Sequence, residues 1–472
     1  MIWTLFYPEL YFLAVVLVFL AVAMRTDPNP ERDFYTALAL AAVGICICLA
    51  GIGLQGTLFE GTYRVDLFSQ VFKVLLAMGL FLIFCLCPEL KGIHERHHPE
   101  FYLLLAASTL AMMMMVSCVH LVTLYAALEL SSYSLYCLVF LRRDRKQGIA
   151  AGLKYFLFGA TASAVMLFGI ALLYGSARSL FLTDMLQTIP GMIHQPDIII
   201  GLILTLGGLF FKLAVFPFHF WAPGTYEGAA NQVAAFIATA SKVAALAILM
   251  RLVALSGGLS TYLAHGLAAL AIISMTVGNL TAIVQKDLKR LLAYSSIAHA
   301  GYSLLGILSM NHSGYSGTIF YALAILILKF SIFLVVIKVA SDGANLNVSQ
   351  LAGLHRRSPL LALTLMLALF GLAGIPPTIG FTGKFLIFTA AMQKGYFVLV
   401  LIAMINVVIS LYYYLLILKA AYLLEPAPGS AEVPLSPYSK TLAGILIGAM
   451  IFIGLFPSYF IELARSASSV LL

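Results

Sequence analysis

The sequence predicts an all-α polytopic membrane protein with about fourteen transmembrane helices, and three observations lead there. Of 472 residues, 62% are hydrophobic and only 10% are charged, whereas a water-soluble domain carries roughly 25% charge. Mean hydropathy is +1.02. Apolar stretches of the ~20 residues that one helix needs to cross a bilayer recur from end to end. A soluble enzyme and a nucleic-acid binder are thereby excluded. The net charge of +8, from 27 Lys+Arg against 19 Asp+Glu, reflects in such a chain how cations are shared among loops. Cys46, Cys48, Cys85, Cys87, Cys118 and Cys137 all fall inside apolar runs, with no paired or Cys-x-x-Cys spacing. No disulfide framework, zinc site or iron–sulfur site is expected, nor redox chemistry by this chain itself.

Charge, glycine and proline divide the apolar stretches into helices expected at 3–24, 35–54, 66–87, 101–118, 120–141, 148–174, 197–222, 230–254, 261–284, 288–309, 314–340, 359–390, 395–424 and 439–460. The first lacks a basic n-region and a small-residue cleavage pattern before Arg25-Thr26-Asp27-Pro28, so it reads as a span, not a signal peptide. The longest connections, about 175–196 and 425–438, are short, which predicts a single transmembrane domain over 1–472. Loops after odd-numbered helices hold sixteen lysines and arginines, from Arg25 to Lys440. The opposite face holds five: Arg64, Arg178, Arg251, Lys394 and Arg465. The positive-inside rule then places the sixteen in the cytoplasm and both termini outside.

Two helices are expected to be discontinuous. Helix seven is interrupted at Phe216-Pro217-Phe218-His219 and helix twelve at Ala373-Gly374-Ile375-Pro376-Pro377, where proline removes a donor and clashes with the preceding turn. Pro217 and Pro376 are 159 residues apart (376 − 217), and the starts of helices four and nine 160 (261 − 101). Five helices intervene, an odd number. Helices 4–8 (101–254) and 9–13 (261–424) are therefore expected to form two inverted five-helix repeats, preceded by helices 1–3 (1–100) and followed by 439–460.

The remaining six of the 27 cations, all lysines, lie within expected spans. An ionisable group at bilayer depth costs ~2.5–3.5 kcal/mol on insertion scales, so it faces the bundle interior, water or a partner. Lys73 lies about seven residues into helix three, where its stem can snorkel outward, and Lys154 is similarly placed in helix six. Lys212, Lys242, Lys329 and Lys384 are deeper. Glu129 is the one carboxylate read at equal depth, sharing a helix face with Ser132, Tyr133 and Tyr136. A lysine ammonium releases its proton more easily when desolvated and holds it more tightly beside a carboxylate. A Glu129 that approaches and leaves Lys212 would load and unload it. His219, at the helix-seven break, and His299, inside helix ten, are either proton carriers or packing histidines. The Met112–Met115 run and Tyr412-Tyr413-Tyr414 read as packing or an interfacial belt.

The residue blocks together resemble a known family. They are Ala127-Leu128-Glu129-Leu130, Leu153-Lys154-Tyr155, Phe211-Lys212-Leu213-Ala214-Val215-Phe216-Pro217-Phe218-His219-Phe220-Trp221-Ala222-Pro223, Tyr226-Glu227-Gly228-Ala229, Thr239-Ala240-Ser241-Lys242, Asp287-Leu288-Lys289-Arg290 through Ser296, and Gly374-Ile375-Pro376-Pro377 through Lys384-Phe385. With them the chain resembles the antiporter-like membrane subunits of proton-pumping NADH:quinone oxidoreductase (respiratory complex I), and among these the N type.

The resemblance implies a fourteen-helix subunit with a hydrated axis of charges. Glu129 falls on the helix-five glutamate and Lys212 on its partner. Lys154 falls on the lysine beside that pair, Lys242 on the central lysine, and Lys384 on the terminal one. Flavin, iron–sulfur clusters and quinone are expected in partner subunits and none in this chain. K-type and M-type neighbours and a bacterial inner membrane are implied. M-type relatives carry glutamate where Lys384 stands, and the L type continues into a long lateral helix for which no residues follow Leu472. Gly224 stands where the family usually has an acidic residue, and Ala230-Asn231-Gln232 replaces a proline-containing stretch, so a differently shaped connection is expected there. Lys329 departs from the N type; it either adds a relay site or pairs with a group the sequence does not identify. The rival readings are a subunit of an Mrp-type Na⁺/H⁺ antiporter or of a membrane-bound hydrogenase.

Overall fold

The computed structural model describes residues 2–25, 29–254, 260–340, 342–426 and 431–471; most of the Arg25–Pro28 boundary falls outside them. α1 (Tyr7–Ala23) and α2 (Pro30–Ala50) are followed by a hairpin of β1 (Gly56–Leu58) and β2 (Tyr63–Val65). Then come α3 (Leu67–Cys85), α4 (His98–Ser117), α5 (Leu121–Phe140), α6 (Arg145–Ala177) and the short α7 (Leu182–Met192). Next are α8 (Pro196–Leu213), α9 (Trp221–Gly228), α10 (Asn231–Ala238), α11 (Ala240–Ala254), α12 (Ser260–Ile283), α13 (Leu288–Leu308) and α14 (His312–Val339). The chain closes with the short α15 (Leu354–Arg357), α16 (Pro359–Ala373), α17 (Ile379–Gln393), α18 (Phe397–Leu423), α19 (Pro437–Leu455) and α20 (Ser458–Ser468). Among the described residues, thirteen helices are long and apolar enough to cross a membrane. The fourteenth span is the broken pair α16 and α17. The hairpin and α7 lie in connections, and most of α20 lies beyond the last expected helix (439–460); the sequence predicts no element there, because each is too short to leave an apolar run of its own.

The connections gather on two opposite faces. On one, Arg143 N–H donates to the Gly92 carbonyl at 2.8 Å, and Leu288 N–H to that of Leu346 at 2.8 Å. Arg142, counted above as a loop charge, is buried here and donates to the Glu227 carbonyl at 2.6 Å and to Asn345 Oδ1 at 2.9 Å. On the other face, Val119 N–H reaches the Thr62 carbonyl (3.0 Å) and Leu121 N–H that of Leu180 (2.9 Å). The first residues pack there, Trp3 against Phe59. Ser468 of α20 also donates there, to the His312 carbonyl at 3.4 Å. Both ends of the described chain therefore share one face.

Inside, helices approach closely where glycine allows it. A Cβ on Gly169 of α6 would lie 2.6 Å from the Thr205 nitrogen of α8, and one on Gly278 of α12 2.7 Å from that of Ala298 in α13. Backbone contact of this kind is how apolar helices gain packing energy in lipid, where water exclusion gives them none.

Helices seven and twelve are broken as expected, and in the same way. α8 ends with Val215 N–H on the Phe210 carbonyl and Ala214 N–H on that of Phe211, both 2.9 Å, with Ala214 left-handed at φ 59°. α16 ends with Ile375 N–H on Phe370 (2.9 Å) and Gly374 N–H on Gly371 (3.1 Å), with Gly374 at φ 90°. Both are Schellman ends, and each is followed by a cis proline peptide, Phe216-Pro217 and Pro376-Pro377. The equivalent positions are 160 apart (374 − 214), so Pro217 corresponds to Pro377, not to Pro376. A third break, unexpected, divides helix eight at Thr239 (φ −122°, ψ −87°) between α10 and α11.

Four further readings of charge are corrected. Lys73 does not snorkel: it is fully enclosed and paired with Glu9 at 2.7 Å. Glu129 is thus not the sole deep carboxylate, and Glu9 escapes sequence reading because it sits in the first turn of α1. Lys289, counted as a loop cation, is fully buried and donates to the Ala229 carbonyl at 2.7 Å. Arg251 is likewise inside α11, bound to Asp66.

Candidate functional site: lysines on broken helices

The site starts on α5. Ser131 and Ser132 donate their hydroxyls to the Leu128 carbonyl at 2.9 and 2.8 Å, which turns their lone pairs toward Lys212 of α8. The Lys212 ammonium donates to Ser131 Oγ and, at 3.2 Å, to Ser132 Oγ. Glu129 is buried on the same helix and accepts from Ser163 of α6. No ion pair within 4.0 Å joins Glu129 to Lys212 among the described residues. The carboxylate is within electrostatic reach of the ammonium, and the serines hold the ammonium meanwhile.

Each break frees carbonyls that the lost turn no longer satisfies, and at each a buried lysine takes them up. At the end of α8, Lys242 of α11 donates to the Lys212 carbonyl at 3.0 Å while Trp221 Nε1–H covers that of Phe211 at 2.9 Å. The Lys242 ammonium lies 5.0 Å above the Trp221 ring, which Tyr155 backs by stacking at 4.5 Å. At the end of α10, Lys329 of α14 donates to the Ala238 carbonyl at 3.3 Å and to Ser296 Oγ at 2.6 Å. At the end of α16, Lys384 of α17 donates to the Leu372 and Ala373 carbonyls at 2.7 and 3.0 Å. A cation at the negative pole of a helix dipole is in a favourable place. The partner of Lys329 that the sequence does not identify is therefore a backbone carbonyl exposed by the unexpected third break.

α13 joins the last two lysines. Ser296, His299 and Tyr302 recur every three residues on one face, about 9 Å from first to last at 1.5 Å per residue. Ser296 holds Lys329. His299 has Nδ1 2.5 Å from Tyr321 OH and Nε2 3.3 Å from Tyr414 OH, which in turn meets Ser295 Oγ at 2.6 Å. The Tyr302 ring lies 4.7 Å beneath the Lys384 ammonium, and its hydroxyl accepts from Asn279 at 3.2 Å. Lys329 and Lys384 both act electrostatically on His299, and Lys212 and Lys329 on Lys242. Glu129, Lys212, Lys242, Lys329, His299 and Lys384 thus form one buried series. Ser163, Ser296, Tyr321, Tyr414 and Asn279 belong to it as well. A single hydroxyl or amide in an apolar helix leaves no signal that sequence reading can separate from packing.

Lys154 and His219 stand apart. Lys154 is exposed and, with His219, Phe220, Arg290 and Tyr294, lines a cavity of about 500 Å³ beside the α8–α9 break. His219 is buried between Phe216 and Phe220, with Nδ1 unpartnered. The short turn from α9 to α10 is held by cations: Arg142 and Lys289 bind its carbonyls, and Arg290 pairs with Glu227 at 3.0 Å. Among the described residues no group of three His, Cys, Asp or Glu is arranged to hold a metal.

Residues 118–410 match the family described as NADH:quinone oxidoreductase/Mrp antiporter, TM. The chain is 60% identical over 470 residues, all of both chains, to NADH-quinone oxidoreductase subunit N 2 of Syntrophobacter fumaroxidans. It superposes on a chain of respiratory complex I from Thermus thermophilus with a TM-score of 0.82 at 34% identity, covering 98% of this chain and 99% of that one. A chain of the Mrp complex from Dietzia sp. shares the fold (TM-score 0.86, 99% and 97% covered) at 20% identity. A line of lysines seated on broken membrane helices, in a chain this similar to those relatives, places it in the NADH:quinone oxidoreductase/Mrp antiporter family, among the N subunits of NADH-quinone oxidoreductase.

Proposed function

We propose that this chain is the N-type, proton-translocating subunit in the membrane arm of a bacterial NADH:quinone oxidoreductase. It moves protons through Glu129, Lys212, Lys242, Lys329, His299 and Lys384 while electrons pass from NADH to quinone in partner subunits that hold the flavin and iron–sulfur clusters. K-type and M-type subunits are its neighbours. Lys154 and His219 border this route from the lateral cavity. The observation that carries the reading is the seating of three buried ammonium groups on the carbonyl ends of three interrupted helices. A lysine so placed gives up or regains its proton as a neighbour's charge changes. A chain of the Mrp complex shares the fold; the relative at 60% identity favours the oxidoreductase over the antiporter and hydrogenase readings.

The matched Schellman ends, 160 residues apart (374 − 214), support two inverted repeats at 101–254 and 261–424 within one transmembrane domain. The uneven cation count supports cytoplasmic placement of the Arg143 face and periplasmic termini. A Ser469→Cys subunit in right-side-out vesicles is then labelled by a membrane-impermeant thiol reagent. Labelling in inverted vesicles alone would reverse the orientation.

Lys329 tests the relay. With Lys329→Met the assembly forms, because methionine fills the same space, but the rate of proton transfer through this subunit falls about tenfold or more, read as a lower proton yield per NADH oxidised in reconstituted vesicles. Full pumping by this variant would leave Lys329 only the task of satisfying Ala238.

A further inference from the structure

A second polar system lies away from the line, among α1, α3, α4 and α11. Glu9 and Lys73 pair at 2.7 Å with both side chains wholly enclosed. Tyr63 of β2 donates to the same Glu9 oxygen at 2.7 Å, its ring 5.3 Å from the ammonium. Two turns back along α3, Asp66 is gripped by both terminal nitrogens of Arg251 at 3.1 Å. Arg251 also donates to the Val116 carbonyl at the end of α4, where Cys118 pairs its backbone with Tyr63. The contacts therefore close into a ring, and Asp66, Gln70 and Lys73 share the α3 face that completes it.

This ring is richer in polar atoms than a static pair requires. Glu9 Oε2, both amide atoms of Gln70 and Arg251 Nε are buried without a protein partner. Buried groups of this kind are met by ordered water when several converge on one space. The ring also reaches outward. Asp66 caps α3 at the face that carries the termini, and Arg64, 44% exposed there, lies 3.5 Å from it. Two acids and two bases balance, so the ring has no surplus negative charge to hold a metal cation.

We propose that the Glu9–Lys73 pair is a second proton-exchange site, connected by water to the face bearing the termini and separate from the central line of lysines. A proton from that water binds the Glu9 carboxylate and leaves the pair with the positive charge of Lys73; its return to water restores neutrality. The other titratable groups facing the pair are Tyr7, Cys48, Tyr63 and Cys118. Any part this exchange plays in pumping rests on the proposed function, whereas the exchange itself does not.

Infrared difference spectra of the whole purified complex, recorded between two pH values in H₂O and D₂O, test it. A carboxyl C=O band that appears on acidification, moves in D₂O and is lost in Glu9→Gln is the expected result. A spectrum with no such band, or a band that survives Glu9→Gln, overturns the proposal. Where Glu9→Gln alone fails to assemble, the uncharged double variant Glu9→Gln/Lys73→Met is read by the same criterion. Pumping retained in Lys212→Met would refute the central relay without altering the Glu9 band, so the two failures are distinguishable.

Discussion

Lys212→Met is expected to abolish proton pumping by the reconstituted complex, with a loss of about 10²–10⁴-fold, the usual contribution of one positioned proton-transfer group. Lys212 is the member of the series that lies beside the Glu129 carboxylate, and the two serines that hold its ammonium are already committed as donors to Leu128. Methionine fills the space and carries no proton. Lys212→Arg makes the test sharper. A guanidinium keeps the charge but does not release a proton at accessible pH, so a purely structural cation would be rescued by arginine and a proton carrier would not. Vesicle acidification measured alongside NADH turnover separates the two. Pumping restored by arginine would reduce Lys212 to a structural charge.

Gly380→Ala is expected to have the largest effect on the fold near the terminal lysine. A Cβ at Gly380 would lie 1.9 Å from the Gly371 oxygen and 2.6 Å from its carbonyl carbon. Both belong to the backbone, which cannot rotate aside as a side chain would. α17 must then separate from α16, at a cost of about 1–3 kcal/mol or more for overpacking. Lys384 lies one turn beyond Gly380 and would be drawn off the Leu372 and Ala373 carbonyls. The expected outcome is a lower thermal midpoint for the purified complex together with impaired pumping. An unchanged midpoint would show that the two half-helices separate freely.

Much of this was legible in the sequence because the bilayer enforces it. Apolar length located the spans, and proline located the breaks of helices seven and twelve. Lysines in apolar runs located Lys212, Lys242, Lys329 and Lys384, since the cost of facing lipid drives a deep ammonium into the bundle interior. The same argument failed at Lys73, where nearness to a helix end suggested an outward stem, and missed Glu9 for the same reason. The break at Thr239 has neither proline nor glycine to announce it; its cause is tertiary, and only the structure pairs it with Lys329. Lys289, Arg142 and Arg251 read as loop charges because burial at a helix end depends on neighbours far along the chain. The resemblance placed Lys154 beside the Glu129–Lys212 pair, whereas in the isolated chain it borders a lateral cavity.

The amines at the three interruptions are bonded to main chain, not to acids, and this makes the backbone a participant in proton affinity. A terminal dipole contributes up to ~2 kcal/mol to a neighbouring cation in partly buried geometry, and ~1.4 kcal/mol corresponds to one decade in a protonation constant. A rigid half-rod that tilts its last carbonyls away from an amine would therefore weaken that amine's hold on its proton roughly tenfold, with no counter-ion having moved. Such a tilt would convert mechanical displacement in one part of the assembly into proton release in another.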